Sequence, residues 1–474
     1  QRIGPIRRAH IEGKRAHCEY ILQTMGEITH QKRARRVRLR SNRIELTTNK
    51  RTRRHSANQQ IVPSPYKTLA FWDTIYGDVR AYNIQEEDIL DVFLSRSSRD
   101  TPSSITEHEL LAALKAAHNW KSPGLDGICG YWYKYLTRTR LPILILLNNW
   151  LAHPSSIPPQ MMMGLTTLVY KSGDPADPAN YRPITCLNAL TKIFTTIIKN
   201  KILTDLTMNP VSKQITKNQL GCKPVALAAK EGLIKTMLIR EEAQRTLPSF
   251  LESFYDIRKA YDTVCHDWLA KCLEYFDINR TVITAVVNMM SMWCIALHYS
   301  GHETIGDIHL SCGILQGDAL SPLLFTMQYN IVSKRIQNLV PQIRVHGVDY
   351  NHTVYMDDLK VMAPTSEAMQ LAHSVVTKAI ADIGMEVNNN KCGLFIKGNA
   401  QVPPNMTDIP RVSNQSPYKY LGVEMADKMG SNQYKARVMQ HIESTLDAIQ
   451  KRELSSINCI REVNSDVVSL IRYA

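Results

Sequence analysis

The chain has 474 residues, 44% of them hydrophobic, and a formal net charge of +14; this is enough for two or three domains with ample core, and it excludes a disordered chain. The charge is concentrated, because residues 1–60 hold 16 Lys/Arg against 4 Asp/Glu and the rest is close to neutral. The longest apolar run, 141–147, stops at Asn148-Asn149, far short of the roughly 20 residues that a membrane span needs.

The basic residues form an N-terminal arm. Its densest part, "QKRARRVRLRSNR" at 31–43 with Arg33, Arg35, Arg36, Arg38 and Arg40, is followed by "KRTRRH" at 50–55. Such a run suits a polyanion, since each neutralised phosphate releases counterions; a solvated tail or a nuclear import signal has the same composition. Ten cysteines are scattered from Cys18 to Cys459 with no C-x-x-C pair and no zinc-type cluster, which fits reduced thiols in an intracellular protein, nuclear or cytoplasmic. No secretory signal is visible, and the chain starts at Gln1 rather than Met, so it reads as a fragment.

"VPSPYK" at 62–67 is a Pro-bearing break, and ordered protein is expected from about residue 65. "SSITEHELLAALKAAHNW" (103–120) sets Ile105, Leu110, Leu111, Leu114 and Ala117 at helical spacing behind Ser/Thr caps. "KSPGLDG" (121–127) must be a loop. Residues 155–203 read as loop, strand at 165–170, an Asp/Pro/Gly turn, and a helix with Leu187, Leu190, Ile193, Phe194, Ile197 and Ile198 on one face. Lys171 ends that strand and Arg182 ends that turn, so two cations flank one loop.

From 249 a strand-like "SFLESFYDI" breaks at Asp256, and 258–276 reads as a helix with Ala260, Tyr261, Val264, Trp268, Cys272 and Phe276 on one stripe. A strand-rich stretch (294–310) leads to "GILQGDALSPLLFTMQYNIVSKRI" (313–336), a Gly-marked turn and a long apolar helix. "TVYMDDLKVMA" (353–363) is a strand pair with Asp357 and Asp358 at its turn. A helix over 366–384 follows with Gly at its C-cap, and 385–396 reads as strand, Asn-rich turn with Lys391, and strand. Apart from 294–336 the order is strand, helix, strand pair, helix, strand. It predicts an α+β fold with a split βαβ, ferredoxin-like antiparallel sheet backed by helices. Asp256, Asp357 and Asp358 then converge at one sheet edge.

Unpaired neighbouring carboxylates repel, and burying an ionised one is expensive. A divalent ion with a preference for hard oxygen ligands, Mg²⁺ above all, removes the conflict, and two such ions can support an in-line displacement at phosphorus. The plain alternative is an Asp-Asp pair in a solvated turn.

"FYDIRKAYD" (254–262), "YMDD" (355–358), "GILQGDALSPLLF" (313–325), "NYRPITCLNALTKIF" (180–194), "IGMEVNNNKC" (383–392) and "YKYLGV" (418–423) resemble, in order and spacing, the successive motifs of reverse transcriptases. The non-LTR retrotransposon (LINE-like) branch is nearest in flavour, with "KSPGLDGI" (121–128) and "YRPI" (181–184) among its counterparts. The resemblance covers about 110–425.

It implies a polymerase right hand: the arm at 1–64, an N-terminal extension and helical fingers at 65–250, the palm at 251–425, and the start of a truncated helical thumb at 426–474. It implies that Asp256 and Asp357 hold two Mg²⁺ ions, for which Mn²⁺ can substitute, with Asp358 the less essential neighbour. Lys171 and Arg182 are implied to grip the β- and γ-phosphates, and Tyr261 to lie under the sugar, excluding a 2′-OH. Gln316 and Gly317 are implied to line the nucleotide pocket, Lys391 to protonate leaving pyrophosphate, and Tyr418, Tyr420, Leu421 and Gly422 to position the primer end. The implied partners are an RNA template, a DNA or RNA primer and dNTPs, with no membrane; nothing in the pattern demands an oligomer.

Two features depart from the family pattern. Residues 218–232, "NQLGCKPVALAAKEG", lack the aromatic and the arginines of the family's Gln-x-Gly-Phe-Arg segment, and the Met of "YMDD" is more retroviral. No endonuclease-like region accompanies the motifs. An RNA-templated RNA polymerase and a decayed remnant that only binds nucleic acid are the competing functions.

Overall fold

The computed structural model describes residues 62–85, 101–209, 214–222, 228–345, 347–426, 432–451 and 455–467. By internal contacts the chain divides at 63/64, and every helix and strand named here belongs to the unit from Ser64 onward. The arm arginines Arg33 to Arg40 lie outside the described residues.

Helix α1 (Pro65–Tyr76) starts at Ser64, whose side chain accepts from the Lys67 N–H, and at a Pro in its first turn. Helix α2 (Glu107–Ala116) opens with a full capping box between Thr106 and Glu109. Short α3 (Gly130–Tyr135) and α4 (Arg140–Ala152) follow. Strands β1 (Met163–Tyr170) and β2 (Tyr181–Cys186) form an antiparallel hairpin, and α5 (Ala189–Met208) buries Leu190, Ile193, Phe194, Ile197 and Ile198 as its spacing predicts. The sequence reading ends the turn at Arg182 and passes directly to a helix, whereas 181–186 is strand. Pro183 and Asn180 hide the signal, and only pairing with β1 specifies the strand.

Helix α6 (Ala228–Thr246) leads into β3 (Phe250–Tyr255), buried at every residue. The expected helix over 258–276 is broken: Lys259 sits in left-handed backbone (φ 46°), 260–263 form one 3₁₀ turn, and α7 (His266–Tyr275) starts only after it. Then come α8 (Arg280–Met292), β4 (Cys294–Tyr299), β5 (Thr304–His309) and α9 (Ser321–Leu339). Small strands β6 (Ile343–Val345) and β7 (Val348–Tyr350) precede β8 (His352–Tyr355) and β9 (Asp358–Ala363). Helix α10 (Ser366–Asp382) ends in a Schellman turn, with Gly384 N–H bonded to Ala381 O and Met385 N–H to Ile380 O. The strand expected at 385–388 reduces to a single bridge, Val387 to Ile257. Strand β10 (Gly393–Lys397), hairpin β11 (Tyr418–Tyr420) and β12 (Val423–Met425), and helices α11 (Asn432–Gln450) and α12 (Ser456–Glu462) complete the order.

Two four-stranded sheets organise these elements. The central sheet has order β10-β3-β9-β8, antiparallel throughout. This is the strand order of a split βαβ unit, with α9 and α10 packed on the sheet. The other sheet has order β2-β1-β4-β5 and is mixed, because β1 and β4 run parallel. On the central sheet, Phe250, Phe254, Met362, Phe395, Tyr420 and Met425 form one apolar cluster. Within it Arg240, Glu252 and Lys360 are fully buried: Glu252 pairs with Lys360 on one side and, at 3.4 Å, with Arg240 on the other. Arg240 also donates to Ala426 O at 2.7 Å and lies 4.2 Å over the Phe395 ring. This ion triad ties α6, the sheet and the β11–β12 hairpin together.

Residues 77–85, after α1, run as a strap across this body. Cys265 Sγ donates to Arg80 O at 2.8 Å, and Asn83 N–H donates to Asp382 O at 2.7 Å.

Candidate active site

Strand pairing places the acidic residues. Tyr255 is registered against Leu359, and Tyr355 against Asp358, leaving Met356 and Asp357 as the two-residue turn of the β8–β9 hairpin. Continuing the β3–β9 ladder by one residue sets Asp256 opposite Asp358, about 5 Å away at Cα for neighbouring antiparallel strands. The three carboxylates therefore meet at one sheet edge, as their positions in the sequence predict.

Their electrostatics show the cost of meeting. Burial raises the Asp357 carboxyl above its ordinary range and Asp256 adds to the rise, while Arg182 and Lys171 oppose it. Asp358 is exposed to solvent at its rim position, yet it is pushed up to about 6 by desolvation and by Asp357 and Asp256. Asp256 is raised by burial, against the charges of Lys391 and Lys171 and a 3.2 Å hydrogen bond from Asn388 Nδ2. Lys171, Arg182 and Lys391, all exposed, thus share one field with the aspartates although they come from separate segments.

Among the described residues no three His, Cys, Asp or Glu side chains form a ready-made metal cage. The raised carboxyls nevertheless mark uncompensated negative charge, and the donors are hard oxygens. That fits Mg²⁺, which typically takes one or two protein carboxylates and fills its octahedron with water and substrate phosphate.

Tyr261 lies in the 3₁₀ turn after Asp256, its ring stacked on Phe325 at 4.8 Å and 6°, its hydroxyl 3.9 Å from Met356 Sδ. It is half-buried and borders the aspartate turn rather than an amphipathic helix stripe. Gln316 and Gly317 sit against β2: Gln316 O accepts from Thr185 N–H at 2.7 Å, and a Cβ on Gly317 (φ 125°) would lie 2.4 Å from Thr185 O. Only glycine fits there. The cation-bearing hairpin and this loop therefore share one wall.

In the 418–422 hairpin, Leu421 (φ 46°) and Gly422 (φ 85°) form the two-residue turn, both left-handed. Tyr418 stacks on Phe254 at 4.6 Å, and burial together with the aspartates raises its pKa. Tyr420 is only 2% exposed. It supports the hairpin from within, and Gly422 is the exposed part of the turn.

Sequence reasoning passed over Gln219. This buried side chain accepts from Met356 N–H at 3.0 Å and Gly221 N–H at 2.9 Å, and its Nε2 donates to Met356 O at 3.3 Å. Met356 has φ 58°, unfavourable for a residue with a side chain, so one amide holds both main-chain groups of the strained residue beside Asp357. The retained Gln-x-Gly of 219–221 was the available signal. Asp262, a carboxylate 2% exposed, was missed as well; the sequence reading absorbs it into the helix.

The model of the family "Reverse transcriptase (RNA-dependent DNA polymerase)" matches residues 169–425. A Drosophila melanogaster retrovirus-related Pol polyprotein from type-2 retrotransposable element R2DM is 22% identical over 78% of this chain and 34% of its own length. A type-1 retrotransposable element R2 polyprotein from Popillia japonica is 27% identical over 47% of this chain and 29% of its own. The RNA-directed DNA polymerase from the Drosophila melanogaster mobile element jockey is 22% identical over 71% and 37%. The chain spans about a third of the length of these curated relatives. With more than half of its residues matched by the family model, the chain belongs to the reverse transcriptase (RNA-dependent DNA polymerase) family, and its relatives are the non-LTR retrotransposon members.

Proposed function

We propose that the chain is the polymerase part of a retroelement protein, joining deoxynucleotides to a primer 3′-OH on an RNA template. The observation that carries this reading is the register of the central sheet, which brings Asp256 to the Asp357–Asp358 turn, where the charges of Lys171, Arg182 and Lys391 act on the carboxylates. In a right-hand layout this sheet is the palm, the β1–β2 hairpin belongs to the fingers, and α11 and α12 begin the thumb.

Asp256 and Asp357 are the residues that would hold two Mg²⁺ ions, with Asp358 beside them. When bound, the ions supply a lowered pKa for the attacking hydroxyl and charge neutralisation at the leaving oxygen. The chain's own groups do the rest. Lys171 as a point charge and Arg182 as a planar fork bind the β- and γ-phosphates, and Tyr261 closes the floor under the sugar against a 2′-OH. Gln316 and Gly317 line the pocket, Lys391 supplies a proton to leaving pyrophosphate, the 418–422 hairpin orients the primer, and the basic arm adds RNA affinity.

Primer extension on an RNA template with Mg²⁺ tests the proposal. Asp357→Asn is expected to lower extension by about 10³-fold or more while RNA affinity stays within about twofold, because the phosphate-binding charges remain. Extension that survives the substitution removes the metal assignment. RNA binding without extension by the parent chain favours the decayed remnant, and preference for NTPs over dNTPs favours an RNA polymerase, against which the placement of Tyr261 speaks.

A further inference from the structure

We propose that helix α1 braces the nucleotide pocket, with Tyr76 and Trp72 as positioning residues that hold Gln316 and the 171–182 hairpin through Asp262 and Lys259; this rests on the polymerase reading above.

Two threads run from the helix. In the first, the Tyr76 hydroxyl donates to Asp262 Oδ1 at 2.6 Å, and Gln316 Nε2 donates to the same oxygen at 3.0 Å. Tyr76 is 3% exposed and Asp262 2%, so neither bond competes with water. The loop leading to Gln316 is fixed to the same residue: Tyr76 O accepts from Ser311 N–H at 2.8 Å, and a Cβ on Gly313 would lie 2.9 Å from the Tyr76 ring. In the second, the Lys259 ammonium lies 4.4 Å over the Trp72 ring and 5.4 Å over Phe71, and it donates to Ala179 O at 3.1 Å. Ala179 is in the turn that joins Lys171 to Arg182. Helix α1 is itself anchored on β4, where the Thr68 and Tyr299 hydroxyls bond at 2.8 Å.

A carboxylate buried only for stability is a poor choice, since apolar side chains of similar volume fill such a place at no desolvation cost. Here it takes one donor from α1 and one from the pocket wall. Burial raises its pKa, and Tyr76, Lys259, Gln316 and Arg182 each oppose the rise. The arrangement fixes the Gln316 amide before a nucleotide arrives, which spares the ordering cost on binding.

Steady-state extension with varied dNTP tests the first thread. Tyr76→Phe removes one hydroxyl and is expected to raise the dNTP KM about five- to tenfold, with kcat and the primer–template Kd within about twofold. In a Gln316→Ala background the same substitution should change KM by less than about twofold, because the residue it acts through is gone. A merely structural role predicts equal effects in both backgrounds, and that result, or an unchanged KM in the otherwise native chain, overturns the proposal. Lys259→Met reads the second thread independently should Tyr76→Phe fold poorly; it is expected to raise KM about fivefold, and no change overturns that half. A parent chain that extends no primer removes the polymerase reading itself, and with it the brace.

Discussion

The two four-stranded sheets solve opposite problems. In the central sheet β3 is buried at all six residues, Glu252 included, and the turn beyond it gathers three carboxylates. In the mixed sheet β1 alternates between buried and half-buried positions before its last two residues open to solvent, and β5 is largely open. The negative charges thus stand on a support closed on both faces, whereas Lys171 and Arg182 stand on a hairpin with one side free. Like charges need a frame stiff enough to hold them against repulsion. In the proposed polymerase, cations that grip a nucleotide must meet it from solvent and release its product.

Substitutions on either side can break this contrast. The largest effect is expected at Lys360→Met, which leaves Glu252 buried with half its compensation and should lower unfolding free energy by about 3–5 kcal/mol, read from urea titration. A smaller effect comes from His352 in β8, which is buried against Ser333 and Asn351 and held down at about 3 by desolvation and Lys235. Its pKa is lower folded than unfolded, so the unfolded chain binds the extra proton as pH falls below about 6.5, and stability is lost between there and about 3. From pH 7 to pH 5 that loss is about 2 kcal/mol, and His352→Asn should remove it from the pH profile of the urea midpoint. The smallest is Lys171→Ala, expected to raise the dNTP KM about tenfold, near 1.4 kcal/mol, with stability changed by less than about 0.5 kcal/mol. A large stability loss at Lys171 would erase the distinction between closed and open sheets.

The central sheet was largely legible in the sequence because its strands are short apolar runs with polar breaks at Asp256 and at the Met356–Asp357 turn, signals that are local. In the mixed sheet the strands at 165–170 and 294–310 were legible in the same way, but β2 and the pairing that joins them were not. Strand β2 carries Pro183 and gains its identity from β1 across an Asp/Pro/Gly loop, and β1 meets β4 in parallel more than a hundred residues later. Lys259 breaks the expected helix because its ammonium is held by aromatic rings from α1 and by carbonyls of the 179–181 turn. Asp262 was overlooked for a related reason, since its partners Tyr76 and Gln316 lie far away in sequence; Gln219 did carry a local mark in its Gln-x-Gly, but its hold on Met356 spans 137 residues.

The strap at residues 80–83 has a consequence for biosynthesis. Its hydrogen-bond partners, Cys265 and Asp382, leave the ribosome 185 and 299 residues after the atoms they bind. The earliest-made part of this body must therefore wait, unseated, until nearly all of the sheet domain has been translated, so contacts of such long range should make final closure slow and expose the nascent chain to chaperones.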